Sequence, residues 1–288
     1  MDLNSFWYIY ATDGTNGFLL DLIKRPAEAV ARLAVYENGK APTVVHERLG
    51  LDQFSSGNGD LNVRLGPLKL GPNGCQGKLG NIDLDVLSTL DRGNITFVPA
   101  WLHKLLSYVP YFSSHYGTLL RGKCQQAEYA GLPFVYSTYQ VGDIARSKWF
   151  IISASQFKDS DLSFEISASR IAGIWGASAY VFYQGREYKL NSPIASLFTF
   201  RTRSAGEIAG EERIFDVSIR SPLIRMDVKA RAPLSDFARL EKEGETEIHT
   251  TLFGDCAVEV TLRGTNANAA TNHYEATRTC LLEVKNEP

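Results

Sequence analysis

The chain is poor in most of the features that announce a chemistry. Its four cysteines, at positions 75, 124, 256 and 280, show no CxxC spacing, and they do not read as a disulfide framework. In a chain of this size they read as buried or free thiols, with a Cys256–Cys280 bridge the one pairing left open. The histidines at 46, 103, 115, 249 and 273 form no HxH or HExxH, so no metal site is expected. A GxSxG nucleophile elbow is absent. The glycine-rich stretches "GTNG" and "GNGD" lack the strand–GxGxxG–helix setting of a dinucleotide site and read as turns.

Charge of one sign is also scarce. The net charge is −2, with both signs interspersed, so the clustered basic face of a nucleic-acid partner is missing. No run approaches the ~18 apolar residues of a membrane helix, and the opening "MDLNSFWYIY" lacks the basic and apolar regions of a secretory leader. A cytoplasmic protein with no nucleic-acid partner and no integral membrane segment is expected. The sequence carries no signal of oligomeric state.

Alternation is what the chain has in abundance. "AVARLAVYENGKAPTVVHE" sets an Asn38-Gly39 turn between two apolar runs, a hairpin signature. "DLSFEISASRI", "YVFYQGREYKL", "RIFDVSIRS" and "CAVEVTLRG" continue the pattern as short strands punctuated by Gly, Asn and Pro. Such spacing predicts an all-β sandwich or barrel. Two helical exceptions are expected, at 99–109 ("PAWLHKLLSYV") and 233–243 ("PLSDFARLEKE").

An internal echo gives the domain reading. "FWYIYATDG" near the start returns as "FVYSTYQVG", with Phe6, Tyr8 and Gly14 matching Phe134, Tyr136 and Gly142. Both stretches precede a strand-like apolar run. A duplicated unit is the simplest account, with a boundary at "YAGLP" and domains of 1–130 and 131–288. Each length suits one antiparallel barrel able to hold a ligand inside or at its mouth.

Residues 110–157, "PYFSSHYGTLLRGKCQQAEYAGLPFVYSTYQVGDIARSKWFIISASQF", resemble a segment of the tocopherol cyclases and their relatives. Those relatives include bacterial carotenoid hydratases and fungal lipocalin-like Diels–Alderases. The shared outline is a Pro, an aromatic–His–aromatic region, then Tyr-x-Asp/Glu-x-Asn-x-Gly and a nearby Trp. "YVFYQGREYKL", "ARAP", "FGDCAVEVTL" and the opening "FWYIYATDG" extend the likeness over most of the chain. The resemblance implies two lipocalin-like β-barrels packed side by side. It also implies cofactor-free chemistry on a hydrophobic small molecule, often a polyene or isoprenoid.

The sequence departs from that outline at its acid. Tyr136 holds the Tyr position, Gln140 replaces the Asn and keeps an amide, and Thr138 stands where the carboxylate belongs. Threonine cannot protonate an alkene at any physiological pH. Either the acid has moved, or the reaction does not begin with a proton.

Asp21, in "FLLDLIK", is the candidate relocated acid, since burial would raise its pKa. Strand alternation favours the plainer reading of a residue facing water. Glu128 and Asp143 read as loop carboxylates. His115, between Ser114 and Tyr116, suits a general base near neutral pH or a satisfied structural role. Tyr136 and Gln140 share one face of an alternating strand, a hydroxyl and an amide that could polarise a substrate carbonyl. Trp7, Tyr8, Trp101, Tyr116, Thr138, Trp149 and Trp175 are the candidate substrate-binding residues, most other aromatics being core. The expected activity is a cofactor-independent cyclase, most simply a Diels–Alder or related pericyclic catalyst. The rivals are a proton-initiated cyclase or hydratase and a non-catalytic carrier.

Overall fold

The computed structural model describes residues 4–56, 62–71, 73–92, 111–124, 127–141, 148–171, 173–190, 200–243, 246–263 and 270–285. The chain divides into two compact units, Met1–Ile144 and Ala145–Pro288. Both are built from antiparallel strands. Among the described residues no helix is long and apolar enough to cross a membrane.

The first unit holds β1 (Asn4–Thr12), β2 (Asn16–Lys24), β3 (Ala29–Glu37), β4 (Thr43–Leu49), β5 (Phe54–Ser56) and β6 (Val63–Leu65). It continues with β7 (Leu68–Gly71), β8 (Gly74–Leu79), β9 (Ile82–Arg92), β10 (Tyr111–Cys124), β11 (Ala127–Tyr129) and β12 (Leu132–Val141). Their order in the sheet is β4-β3-β2-β1-β12-β10-β9-β8-β7-β6-β5, with β11 paired to β10. One face encloses a single core in which Ile9, Leu20, Leu33, Leu65, Leu68, Leu84 and Leu119 meet. Strands from both ends of the order contribute to it, so the sheet curls around its own apolar face.

The second unit holds β13 (Trp149–Ala154), β14 (Ser163–Ile171), β15 (Ile174–Tyr183), β16 (Arg186–Leu190) and β17 (Phe200–Ala209). It ends with β18 (Glu212–Arg220), β19 (Ile224–Pro233), β20 (Ala238–Glu243), β21 (Thr246–Leu262) and β22 (Thr271–Lys285). Its order is β16-β15-β14-β13-β22-β21-β19-β18-β17, with β20 on β21. Phe150, Ile166, Val181, Phe215, Val228, Val258 and Leu282 lie in its core.

Local chemistry explains the turns. Asn38 and Gly39 close the β3–β4 hairpin, Gly39 adopting φ +72°, a conformation a side chain disfavours. In "GTNG" the Asp13 carboxylate accepts backbone N–H bonds from Thr15 (2.7 Å) and Asn16 (2.6 Å). The "GNGD" stretch and the predicted helix at 99–109 lie outside the described residues. The helix predicted at 233–243 is not one: Leu234–Asp236 form a single 3₁₀ turn, and β20 follows. Ala238 and Leu240 are buried there while Arg239 is exposed, a period of two that pairs with β21.

The echo turns out to have a different meaning. β1 and β12 are hydrogen-bonded neighbours, with Phe6 opposite Tyr139 and Tyr8 opposite Ser137. The strand Leu132–Val141 therefore belongs to the first sheet, not to the start of a second barrel. A repeat exists all the same, at the level of topology. In each unit four strands meander from the first, and the first strand also pairs with the last, β1 with β12 and β13 with β22. By position in the sheet, "FWYIYAT" corresponds to "WFIISA".

All four cysteines are free and buried, so the pairing left open for Cys256 and Cys280 is not made. Burial pushes the Cys75 and Cys124 thiols up to about 12 and raises Cys280 well above its ordinary value. Because the thiolate is the reactive form, native protein at pH 8 should react slowly with a chromogenic disulfide reagent at these three positions. Unfolding in guanidinium should release all four thiols at the rate of free cysteine. Rapid native reaction at Cys75 or Cys124 would contradict this burial.

Candidate functional site

Register decides which side chains can meet. Residues directly opposite in an antiparallel pair point to the same face. Across β2–β1–β12–β10 the rows read Lys24, Ser5, Gln140, Tyr111; then Leu22, Trp7, Thr138, Ser113; then Leu20, Ile9, Tyr136, His115. Trp7, Ile9, Leu20 and Leu22 belong to the first core. The register thus puts positions 136, 138, 140 and 115 on the enclosed face of the first unit. Position 115, distant in sequence from 136, 138 and 140, is brought beside them by the β10–β12 pairing.

That wall is graded along β1. Ala11 and Ile9 lie among Phe18, Leu20, Leu33 and Val35, while Trp7 and Ser5 lead toward the polar end. The Trp7 ring sits 5.5 Å from that of Phe54, which directly follows the Leu51–Gln53 turn. Lys24 places its Nζ 5.6 Å above the same Phe54 ring, a cation–π contact. None of the enclosed-face positions on β1, β2, β10 or β12 carries Asp or Glu. The row of Trp7 and Leu22 continues through Ala31 to Glu47 on β4, a half-buried carboxylate.

Ser5, Lys24 and Phe54 were not among the residues read from sequence. Ser5 could have been found, since a period of two from Trp7 leads to it. The others needed the pairing partner of each strand.

The opposite face of β1–β3 is buried as well. It carries Tyr8, Tyr10, Leu19, Asp21, Ile23, Val30, Arg32 and Tyr36. Tyr116 shares this face, because it lies opposite Val135, which lies opposite Tyr10. Tyr8 therefore stands back to back with the Trp7 row. Asp21 does not face water, as alternation had implied. It is only 7% exposed, and Arg32, its register partner, donates from Nη2 to Oδ2 at 3.0 Å. Nor is it the isolated acid of an apolar wall, since a guanidinium of similar burial balances its charge.

The remaining aromatics divide between faces of the second unit. Trp175 packs in its core, 5.1 Å from Phe150. Trp149 is half-buried and precedes Phe150 on β13, so it lies on the other face. Trp101 falls outside the described residues. Among the described residues, no group of three or more His, Cys, Asp or Glu could hold a metal ion.

No family model and no curated protein matches the sequence. Solved structures are similar in fold. The crystal structure of CghA with Sch210972 matches at TM-score 0.58 and 11% identity, over 99% of this chain and 88% of that one. Kievitone hydratase from Nectria haematococca matches at TM-score 0.53 and 8% identity, over 98% of this chain and 88% of that one. The chain has the all-β, lipocalin-like two-barrel fold of these proteins.

The Asp21–Arg32 pair has a separable energetic role. Breaking a buried pair from one side costs about 3–5 kcal/mol, whereas replacing both partners by apolar residues is often near neutral. Asp21→Leu should therefore lower the first urea unfolding transition by about 3–5 kcal/mol. The double variant Asp21→Leu/Arg32→Leu should recover most of that loss. Equal destabilisation of the single and double variants would show that the pair itself is not what matters.

Proposed function

We propose that the protein is a cofactor-independent cyclase acting on a hydrophobic polyene or isoprenoid-type substrate, held against the enclosed wall of the first barrel. The observation that carries this reading is the composition of that wall. By backbone register, positions 136, 138 and 140 pair with 115, 113 and 111; β1, β2, β10 and β12 bring no carboxylate to that face, and the row of Trp7 meets one only at Glu47 on β4. Asp21, the relocated acid considered from the sequence, is on the reverse face and paired with Arg32.

Such a wall suits a reaction that needs polarisation rather than proton delivery. In this reading Tyr136 and Gln140 hydrogen-bond a substrate carbonyl, which lowers the energy of a conjugated, electron-poor alkene. Trp7, Ile9 and Leu22 fold the apolar chain against the carbonyl end. Bringing two ends of a flexible chain into a near-attack geometry removes much of the entropic barrier to ring closure. A Diels–Alder or related pericyclic closure uses both effects and leaves the composition of the substrate unchanged. The fold shared with CghA, solved with Sch210972, and with kievitone hydratase supports a small-molecule enzyme of this kind.

Two measurements test the reading. Purified protein is incubated with a linear polyene bearing a conjugated carbonyl in deuterated water, and products are followed by mass spectrometry. A cyclised isomer of unchanged mass is expected. One carbon-bound deuterium in the product would instead mean a proton-initiated cyclase or hydratase, and a recovered, unaltered ligand would mean a carrier. The double variant Tyr136→Phe/Gln140→Leu should reduce kcat by roughly 100-fold, the scale of losing a polarising hydrogen-bond donor. Undiminished turnover in that variant would remove both residues from the chemistry.

A further inference from the structure

A second polar cluster lies on the enclosed face of the other barrel. On β18, Arg213 alternates with Phe215, Val217 and Ile219, all members of the second core. On β21, His249 lies opposite Val284, another member, so His249 is on the same face as that core. Arg239 on β20 lies opposite His249. The three basic residues come from three strands and gather at one end of one barrel.

Their charges do not balance. Glu247 is the carboxylate of the cluster, and its Oε2 lies 3.1 Å from Arg239 Nε and 3.3 Å from His249 Nε2. Arg213 has no carboxylate partner among the described residues. One N–H, from Nη1, donates to the Gly206 carbonyl at 2.8 Å, and the guanidinium sits 5.6 Å from the centroid of the Phe237 ring. Its Nε is buried with no hydrogen-bond partner. The residue is nonetheless only 5% exposed. Arg32, of similar burial, shows the ordinary solution, a carboxylate at 3.0 Å. A guanidinium carries five donors and stays protonated in proteins. Burying one against a carbonyl and a ring leaves most of its anion-binding capacity unused.

The electrostatics agree with the geometry. His249 has its pKa lowered first by burial and then by the charge of Arg213, against the opposing charge of Glu247. The surroundings define the rest of a ligand. Phe237 covers Arg213, Phe215 lies 5.9 Å from Phe150, and Phe150 lies 5.1 Å from Trp175. His249 and Glu247 keep 21% and 23% side-chain exposure, which leaves a side of the cluster open to solvent.

We propose that Arg213, with His249, is an anion subsite of the second barrel that receives a planar organic carboxylate carrying an apolar body. Arg213 holds the carboxylate through its unused donors, His249 flanks it, and the aromatic residues meet the apolar portion. The subsite stands on its own residues and does not depend on the chemistry assigned to the first barrel.

The test is a binding measurement on the full chain with benzoate as the probe and benzamide as its neutral counterpart. Calorimetric titration should show benzoate binding at least tenfold more tightly than benzamide. The ring protons of His249 should shift with benzoate more than those of the other histidines. Arg213→Gln should weaken benzoate at least tenfold while leaving benzamide unchanged. Equal binding of the two probes, benzoate binding that leaves His249 unmoved, or full benzoate affinity in Arg213→Gln would each overturn the proposal. The first two outcomes are read on the unmodified protein, so they hold even if the variant folds poorly.

Discussion

The structure depends on the pairing of the first strand of each unit with its last. β1 lies between β2 and β12, and β13 between β14 and β22. Local hairpins supply the other first-strand neighbour cheaply in sequence distance. The first-to-last pair must instead bring together strands separated by nearly the whole unit, at a loop-closure cost that grows only slowly with length. Once made, it fixes register across the sheet. Register then fixes which alternate residues are enclosed, because a slip of one residue would exchange the two faces.

This constraint explains how one short sequence serves two surfaces. In "FWYIYAT" the even positions carry Phe6, Tyr8 and Tyr10, and the odd positions carry Trp7, Ile9 and Ala11. The odd set is core and wall; the even set is the reverse face. Since both faces of β1–β3 are covered, these strands read as nearly continuous apolar runs. They do not show the apolar–polar alternation of a half-exposed sheet. A charge in such a run cannot be left to water. Asp21 and Arg32 are tolerated because they fall opposite each other on neighbouring strands. The second unit repeats the device in milder form, with Ser153, Glu165 and Tyr180 fully buried on the face away from its core, and with the Tyr180 hydroxyl donating to Glu187 at 3.3 Å.

The same geometry separates structure from chemistry. Groups on the reverse face of the first barrel are committed to balancing one another. On the enclosed face, the rows of β1 and β2 run from the aliphatic Ile9 and Leu20 to Ser5 and Lys24 at the polar end. In the second barrel Arg213 breaks the pattern, a buried cation on the core face without, among the described residues, the carboxylate that Arg32 has. Compared within one chain, the two arginines isolate what is unusual about the second.

Much of this was legible before any coordinates. Short alternating segments and Gly/Asn turns determined an all-β chain, and the Asn38-Gly39 hairpin and the Asp13 turn follow from residues adjacent in sequence. The resemblance over residues 110–157 anticipated the two-barrel fold. The sequence also placed Tyr136 and Gln140 on one face, because a period of two is a property of the strand alone. What it could not determine was anything requiring a partner strand. Whether Asp21 faced water, whether Tyr8 stood with Trp7 or behind it, and whether "FVYSTYQVG" opened a second barrel or completed the first were decided by long-range pairing. Periodicity is local and says that two faces exist. Which face is enclosed, and what lies opposite each residue on it, is set only when distant strands meet.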